Sequence, residues 1–404
     1  MRLSDKSRPL IEATLPAVGE HIGEIAENFY RRLFAEHPEL LDGTFNRGNQ
    51  AQGTQQQALA GSVAAFAGAL VNAPDHLPET LLTRVAHKHA SLGIRPDEYQ
   101  IVHDNLIWAI TDRLGDQETT DIAAAWGEVY WLMAEALNHI ERGLYSGRAV
   151  KPQTIWRQWE VEQKIRETGD VVTFVVKRID DRLVKPSLPG QYITVQMPVP
   201  DGTHQPRQYS LSRADNGKYR QFTVKRVHGG GNPDGEVSTL LHDTVNVGDS
   251  LALSVPFGAV VLDDYAGRPM VFISAGIGIT PMAGMLSHLV KASSQLPVTL
   301  LHADLSEDHF ALRGQVLSDI RGLADASVYA WYEQGPVGQL PLTGVFAGQM
   351  DVAQVGLPDN AAYYLCGPIP FMHEINSALT ERGVHPQDIQ YEVFGPDLWH
   401  ADYK

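Results

Sequence analysis

A chain of 404 residues is long enough for two or three domains, each with a core of its own. Its 43% hydrophobic and 20% charged residues match an ordinary globular protein and exclude a disordered chain. The formal charge of −16, with no Lys/Arg cluster, argues against nucleic acid and anionic membranes, and the single cysteine, Cys366, excludes an internal disulfide and a cysteine-built Fe–S or zinc site.

The opening stretch, MRLSDKSRPLIEATLPAV, carries no continuous apolar run. No run of roughly 18 uncharged apolar residues occurs anywhere. A cytoplasmic protein without stable membrane association is expected, and a monomer, since no repeated interface signature occurs.

Residues 1–147 read as an all-α domain. Ile22, Ile25, Phe29, Leu33 and Phe34 form one apolar stripe, closed by His37-Pro38. Leu59, Val63, Phe66 and Leu70 form a second, and Tyr99, Val102, Leu106 and Ile110 a third. The longest runs through Ile122, Trp126, Val129, Met133, Leu137, Ile140 and Leu144. In the segment Leu82 to Leu92, Leu82, Val85, Ala86 and Leu92 mark a buried face on which His89 falls. His87 lies about 200° around the helix, with Thr83, Arg84 and Ser91. Only one of the two histidines can then enter a pocket. A phenol at Tyr99 and a carboxylate at Glu141 that reach the second nitrogen of His89 would make it a more basic metal ligand. The competing reading is a core histidine satisfied by backbone.

Residues 148–154 read as a short polar linker, and 155–264 as a small antiparallel barrel or sandwich. Val171–Lys177, Gln191–Met197, Arg220–Val227 and Ser250–Val255 are short β-branched runs separated by turn residues. RQYSLS, from Arg207 to Ser212, places a guanidinium fork and a flat phenol on one strand face, suited to a phosphate and a flavin ring. After the glycine-rich stretch Gly229–Gly235, Val237-Ser238-Thr239 opens a helix whose backbone N–H groups suit a pyrophosphate. Tyr192, in Pro189-Gly190-Gln191-Tyr192, offers a second aromatic wall.

Residues 265–404 read as a doubly wound α/β domain with a parallel sheet. Val271–Ile273, Val298–His302, Ser327–Tyr332 and Ala362–Leu365 alternate with helical stretches such as Pro281–Ala292 and Phe371–Arg382. SAGIGITPM follows the first strand, and its glycines let a phosphate or ribose approach the backbone. Such glycines also serve tight strand–helix packing. Cys366-Gly367-Pro368 ends a later strand in the same way. Asp304, just beyond Val298–His302, is placed to accept a ribose 2′-hydroxyl and so to favour NADH over NADPH. Tyr391 to Pro396 brings an aromatic ring towards the chain end.

In order, RxYS, GxVS, AGxGxTP and CGP resemble the ferredoxin–NADP reductase family over roughly residues 155 to 397. With Phe29-Tyr30, Phe45, Gln55, Leu59 and His89 at globin spacing ahead of them, nearly the whole chain resembles the flavohaemoglobins, bacterial and yeast nitric oxide dioxygenases. The resemblance implies haem b, FAD and NADH (or NADPH), with NO and O₂ as substrates. It implies His89 as the iron ligand with Lys88 beside it, Phe45 and Leu59 against haem, Tyr99 and Glu141 as a relay behind His89, and Tyr30 with Gln55 over bound O₂. Tyr192, Arg207, Gln208, Tyr209, Ser210, Val237 and Ser238, with Val393, Phe394, Gly395 and Pro396, would hold FAD. Gly276, Ile277, Gly278, Ile279, Thr280 and Pro281, with Cys366 and Gly367, would hold the nicotinamide cofactor, and Glu392 would influence flavin redox behaviour.

The expected activity is conversion of NO and O₂ to nitrate with electrons passed from the nicotinamide through FAD. Two alternatives remain open: a haem-based sensor or oxygen-binding protein kept reduced by its flavin module, and a flavin reductase serving a partner protein. The chain departs from the family by an extra residue around Asp42-Gly43-Thr44, by the longer Gly229–Gly235 loop, and by Ala259-Val260-Val261 after Pro256-Phe257-Gly258, which lacks an aromatic.

Overall fold

A computed structural model describes residues 1–48, 53–73, 77–114, 119–180, 185–231, 233–263, 267–335 and 343–395. Pro396 of the expected flavin segment lies outside the described residues. One compact unit takes in Met1–Arg157 and Gln196–Arg207, and a second takes in Gln158–Val195 and Gln208–Phe394.

In the first unit the helices are α1 (Ser7–Glu20), α2 (Ile22–Glu36), α3 (Thr54–Asn72), α4 (Glu79–Leu92), α5 (Glu98–Leu114) and α6 (Thr119–Arg148). Phe29 and Leu33 of α2, Phe66 of α3, Ile110 of α5 and Trp126 and Leu137 of α6 are buried in one core. Burial of each such side chain contributes about 1.5–3 kcal/mol, against ~1 kcal/mol for a capping residue. The N-cap positions of α1, α2 and α4 (Lys6, His21 and Pro78) indeed make no side-chain capping bond, so the stripes hold these helices. Helix α2 stops at His37 because Pro38 disfavours a helical residue before it. Helix α4 stops at Gly93, whose φ of +80° suits glycine. Both α4 and α5 pack on α6.

The stretch expected as a linker is ordered. Helix α6 runs through Arg148, the Val150 amide donates to the Tyr145 carbonyl at 3.0 Å, and Pro152–Thr154 forms a 3₁₀ turn. Among the described residues no helix is long and apolar enough to cross a membrane.

Six strands, β1 (Trp156–Arg166), β2 (Val171–Arg178), β3 (Tyr192–Pro198), β4 (His204–Ser210), β5 (Tyr219–Lys225) and β6 (Ser250–Ser254), form an antiparallel sheet in the order β4-β3-β6-β1-β2-β5. A bridge from Leu211, just past β4, to Phe222 of β5 brings the two ends together, as a barrel requires. Inside it, Arg220 Nε meets Asp215 Oδ2 at 3.0 Å with both side chains wholly buried, and the guanidinium lies 4.5 Å over the Trp159 ring. Helix α7 (Glu236–Asp243) follows the glycine-rich stretch.

The second sheet is parallel, in the order β10-β9-β8-β7-β11-β12. Its strands are β7 (Met270–Ala275), β8 (Val298–Asp304), β9 (Ala326–Tyr332), β10 (Gly344–Ala347), β11 (Ala362–Cys366) and β12 (Ile389–Glu392), interleaved with α8 (Ile279–Lys291), α9 (Arg313–Gly322) and α10 (Ile369–Glu381). The chain steps outward from β7 through β10, then returns to the other side of β7 for β11 and β12. That reversal makes the carboxyl ends of β7 and β11 the ligand crevice of such a sheet. Strands β10 and β12 escaped the sequence reading because each has four residues, most of them half-buried, too few to show a period.

Candidate functional site

Three helices converge on His89. Its Nδ1 lies 2.9 Å from Glu141 Oε1 and 3.0 Å from the Tyr99 hydroxyl, which itself donates to Glu141 Oε1 at 2.6 Å. Glu141 is 2% exposed, and burial, then the Glu141 carboxylate, pushes the Tyr99 phenol far up, so Tyr99 stays a neutral donor. Tyr130 fixes this corner by donating to the Tyr99 carbonyl at 2.7 Å. Nδ1 is thereby committed, and among the described residues no hydrogen bond reaches Nε2.

The division of the two histidines between faces is less clean than the periodicity predicts. Ser91, expected beside His87 on the outer side, is fully buried, its hydroxyl donating to the Lys88 carbonyl at 2.8 Å. That bond satisfies the hydroxyl within its own helix, so burial leaves nothing unpaired. His87 is itself half-buried, and burial, then Arg148, lowers its pKa to about 4.

Tyr30 is buried, with its ring 4.7 Å from Phe29, 5.7 Å from Phe34 and 5.9 Å from Phe45. Burial pushes its phenol up while a hydrogen bond from Gln55 opposes the shift, which brings together the two residues expected over bound O₂. Phe45 and Leu59 both pack on the helical core.

In the second unit, Tyr192 is 8% exposed and exchanges two backbone bonds with Phe257, of 2.8 and 3.0 Å. Gly258, at φ +134°, leaves room for the Tyr192 ring, which a Cβ would meet at 3.2 Å. Tyr209 stacks on Phe222 at 5.7 Å, Gln208 donates to Thr194 Oγ1 at 3.2 Å, and Ser210 is buried. The Ser238 hydroxyl accepts from the Val227 amide at 3.1 Å and donates to the Gly235 carbonyl at 2.9 Å, stitching the glycine-rich loop together. Val237 is buried beside it.

At the crevice, Ser274 of β7 pairs with Cys366 of β11, and Cys366 with Glu392 of β12. Gly276 takes φ +52° and a Cβ there would meet nothing, whereas a Cβ on Gly278 would lie 2.2 Å from the Cys366 carbonyl oxygen. One glycine serves an open backbone turn and the other a close approach of two loops. Ile279, Thr280 and Pro281 are buried in the first turn of α8, and Ile277 packs on the core beneath. Cys366 is fully buried, and burial pushes its thiol up, so it acts as packing rather than as a nucleophile. Val393, Phe394 and Gly395 follow β12, with Phe394 exposed. Asp304 is turned inward: Oδ2 meets His302 Nε2 at 3.3 Å and Oδ1 accepts from the Leu305 amide at 2.8 Å. His302 and Asp304 are two apart on one strand and so share a face, a signal the sequence reading passed over.

Residues 27–137 match the globin family, 153–262 the oxidoreductase FAD-binding domain and 272–377 the oxidoreductase NAD-binding domain. A flavohemoprotein of Rhizobium meliloti (strain 1021) is 39% identical, across 98% of this chain and 99% of its own. One of Chromobacterium violaceum is 41% identical, across 97% and 98%. The chain belongs to the flavohemoprotein family. The crystal structure of a Malassezia yamatoensis flavohemoglobin with bound FAD and heme superposes with a TM-score of 0.89 at 38% identity, covering 98% of this chain and all of that one. The FAD/NAD-binding domain of a Vibrio cholerae nitric oxide dioxygenase matches 59% of this chain and 99% of its own, at 36% identity and a TM-score of 0.54.

The residues present in this flavohemoprotein fit haem. Gln55 Oε1, beside Tyr30, and Glu141 Oε2 are buried without a hydrogen-bond partner, and the His89 side chain is 31% exposed. Among the described residues no group of three or more His, Cys, Asp or Glu could hold a metal ion. The fit to FAD rests on the Tyr192 wall and on Thr239 Oγ1, buried without a partner in the first turn of α7.

Proposed function

We propose that this chain converts NO and O₂ to nitrate with electrons drawn from NAD(P)H through FAD. The observation that carries it is the Glu141 carboxylate held on His89 Nδ1, in a chain with a reductase on the same polypeptide. Haem b and FAD, when bound, supply the iron at which the gases react and the relay that divides a hydride into single electrons. His89 would hold the iron by Nε2, and Glu141 and Tyr99 keep Nδ1 bonded, raising the basicity of the ligand and favouring O₂ activation over reversible carriage. Phe45 and Leu59 would wall the haem and Tyr30, oriented by Gln55, would donate to O₂. Lys88 and Glu392 would set the electrostatic surroundings of the two redox groups.

Tyr192, Arg207, Gln208, Tyr209, Ser210, Val237 and Val393 to Pro396 would hold FAD, with Ser238 acting through the loop it closes. Gly276 to Pro281, with Cys366 and Gly367, would seat the nicotinamide cofactor. With both Asp304 oxygens engaged by protein, its preference for NADH loses its main support, so the reading is left at NAD(P)H. Domain limits of 1–147, 155–264 and 265–404, with 148–154 joining the first two, suit this division of labour. A monomer in a reducing, cytoplasmic setting suits a chain whose one cysteine is buried.

The test is NO consumption by haem- and FAD-replete protein in aerated buffer with NADH, with nitrate assayed afterwards. Consumption that requires both NADH and O₂ and yields nitrate stoichiometrically supports the reading. Rapid flavin reduction with negligible NO turnover overturns it.

A further inference from the structure

The segment around Asp42-Gly43-Thr44 is bonded to a distant hairpin within the first unit. The Gly43 amide donates to the His204 carbonyl at 2.8 Å, and the His204 amide and Nδ1 both meet Asp42 Oδ1, at 2.7 and 3.1 Å. Three residues on, Arg47 pairs with Asp201 at 2.6 Å and bonds the Thr203 hydroxyl, while its amide donates to Gln205 Oε1 at 3.1 Å. Gln205, fully buried, returns a bond to the Leu41 carbonyl at 3.2 Å. Gly43 sits at φ +79°, where a Cβ would come 2.7 Å from Gln196 Nε2, so glycine is required for the approach. Asp201 also braces its own turn by accepting from the Thr203 amide at 3.0 Å and hydroxyl at 2.8 Å.

The segment Asp42–Arg47 thus grips the β3–β4 hairpin through side chains and backbone alike. On one side it carries Phe45, packed on Tyr30; on the other, β4 runs on into Arg207-Gln208-Tyr209-Ser210. We propose that Asp42, Arg47 and Asp201 form a latch that fixes the β3–β4 hairpin, and with it Arg207, to the segment carrying Phe45, and that electron delivery to the haem depends on this latch and is therefore salt-sensitive. This rests on the dioxygenase reading. The Arg47–Asp201 pair is 32% and 51% exposed, so taken alone it contributes little. Its weight comes from closing a network that also holds the Asp42, Gly43 and Gln205 bonds, and its exposure lets salt reach it.

The test uses the full-length holoprotein and two readouts. In Arg47→Gln and Asp201→Asn, amide hydrogen exchange at Gly43 and His204 should rise about tenfold, the scale of losing one charge-assisted hydrogen bond. In anaerobic stopped flow, NADH should reduce the flavin at the wild-type rate while haem reduction slows roughly fivefold. Raising salt from about 0.02 M to about 0.5 M should slow wild-type haem reduction similarly and the variants hardly at all. Arg47→Lys should restore most of the rate. Unchanged exchange overturns the latch, as does normal haem reduction in loosened variants or equal slowing of flavin and haem. If wild-type haem is not reduced by NADH at all, the dioxygenase reading fails, while exchange still decides whether the latch exists.

Discussion

Tyr99 donates its 2.6 Å hydrogen bond to the same Glu141 oxygen that meets His89 Nδ1 at 2.9 Å. One carboxylate oxygen therefore organises both the imidazole and its neighbour. Glu141→Gln keeps the shape and removes the charge. Turnover should fall about 10–100-fold, the usual scale for a group behind a metal ligand. Resonance Raman should show the iron–histidine stretch at lower frequency. An unshifted stretch would falsify the relay.

Tyr30 is buried and hydrogen-bonded to Gln55, and burial keeps its phenol protonated and able to donate. In Tyr30→Phe, O₂ dissociation should accelerate about tenfold or more, as expected for one lost hydrogen bond in a dry site. Flash photolysis checks it, and wild-type dissociation in the variant would remove Tyr30 from any distal role.

Asp215 is the carboxylate bonded to the wholly buried Arg220, and it also accepts from the Ser187 amide at 3.0 Å and the Gly217 amide at 2.6 Å. Asp215→Asn leaves a buried guanidinium without its countercharge, which costs about 3–5 kcal/mol. Urea unfolding followed by flavin fluorescence should show the loss, whereas a midpoint within error of wild type would mean the pair is not buried in solution.

His87 is held neutral, with a pKa lowered from 6.5 to about 4 by burial first and Arg148 second. Between these values the unfolded chain binds a proton that the folded chain excludes. Stability is therefore full above pH 6.5 and is lost as pH falls towards about 4. Melting temperatures of His87→Gln should decline less across this window than those of wild type. Parallel declines would assign the acid sensitivity elsewhere.

Gly278→Ala would force the start of α8 away from the Cys366 carbonyl, since the added Cβ has only 2.2 Å. KM for NADH should rise about tenfold, the scale of a lost good contact, while haem reduction by dithionite stays at the wild-type rate. A normal KM would show that the two loops can part without affecting the nicotinamide.

Much of this was legible because the chemistry sits where local signals are strong. Gly276 and Gly278 follow an apolar strand, Arg207 to Ser210 fill one strand, and Phe29, Leu33, Leu106 and Leu137 recur at helical spacing. The rest depended on tertiary partners. Nothing local places Asp42 and Arg47 against a hairpin more than 150 residues away. The Ser238 hydroxyl bonds the Gly235 carbonyl and the Val227 amide, and Asp304 bonds His302 and the Leu305 amide, partners that residue type alone does not announce. Ser91 was misplaced because a hydroxyl that bonds its own helix can be buried like an alanine.

Gly93 ends the helix that carries His89, and a Cβ there would come 2.8 Å from the Pro152 carbonyl oxygen and 3.3 Å from Ile155 Cδ1. Residues 152–155 are therefore riveted against the end of the helix that carries His89. Strain applied there is transmitted straight to the foot of that helix, so fusion or circular permutation at residues 150–155 would disturb the histidine, whereas exposed turns such as Asp201-Gly202 could be cut with only local damage.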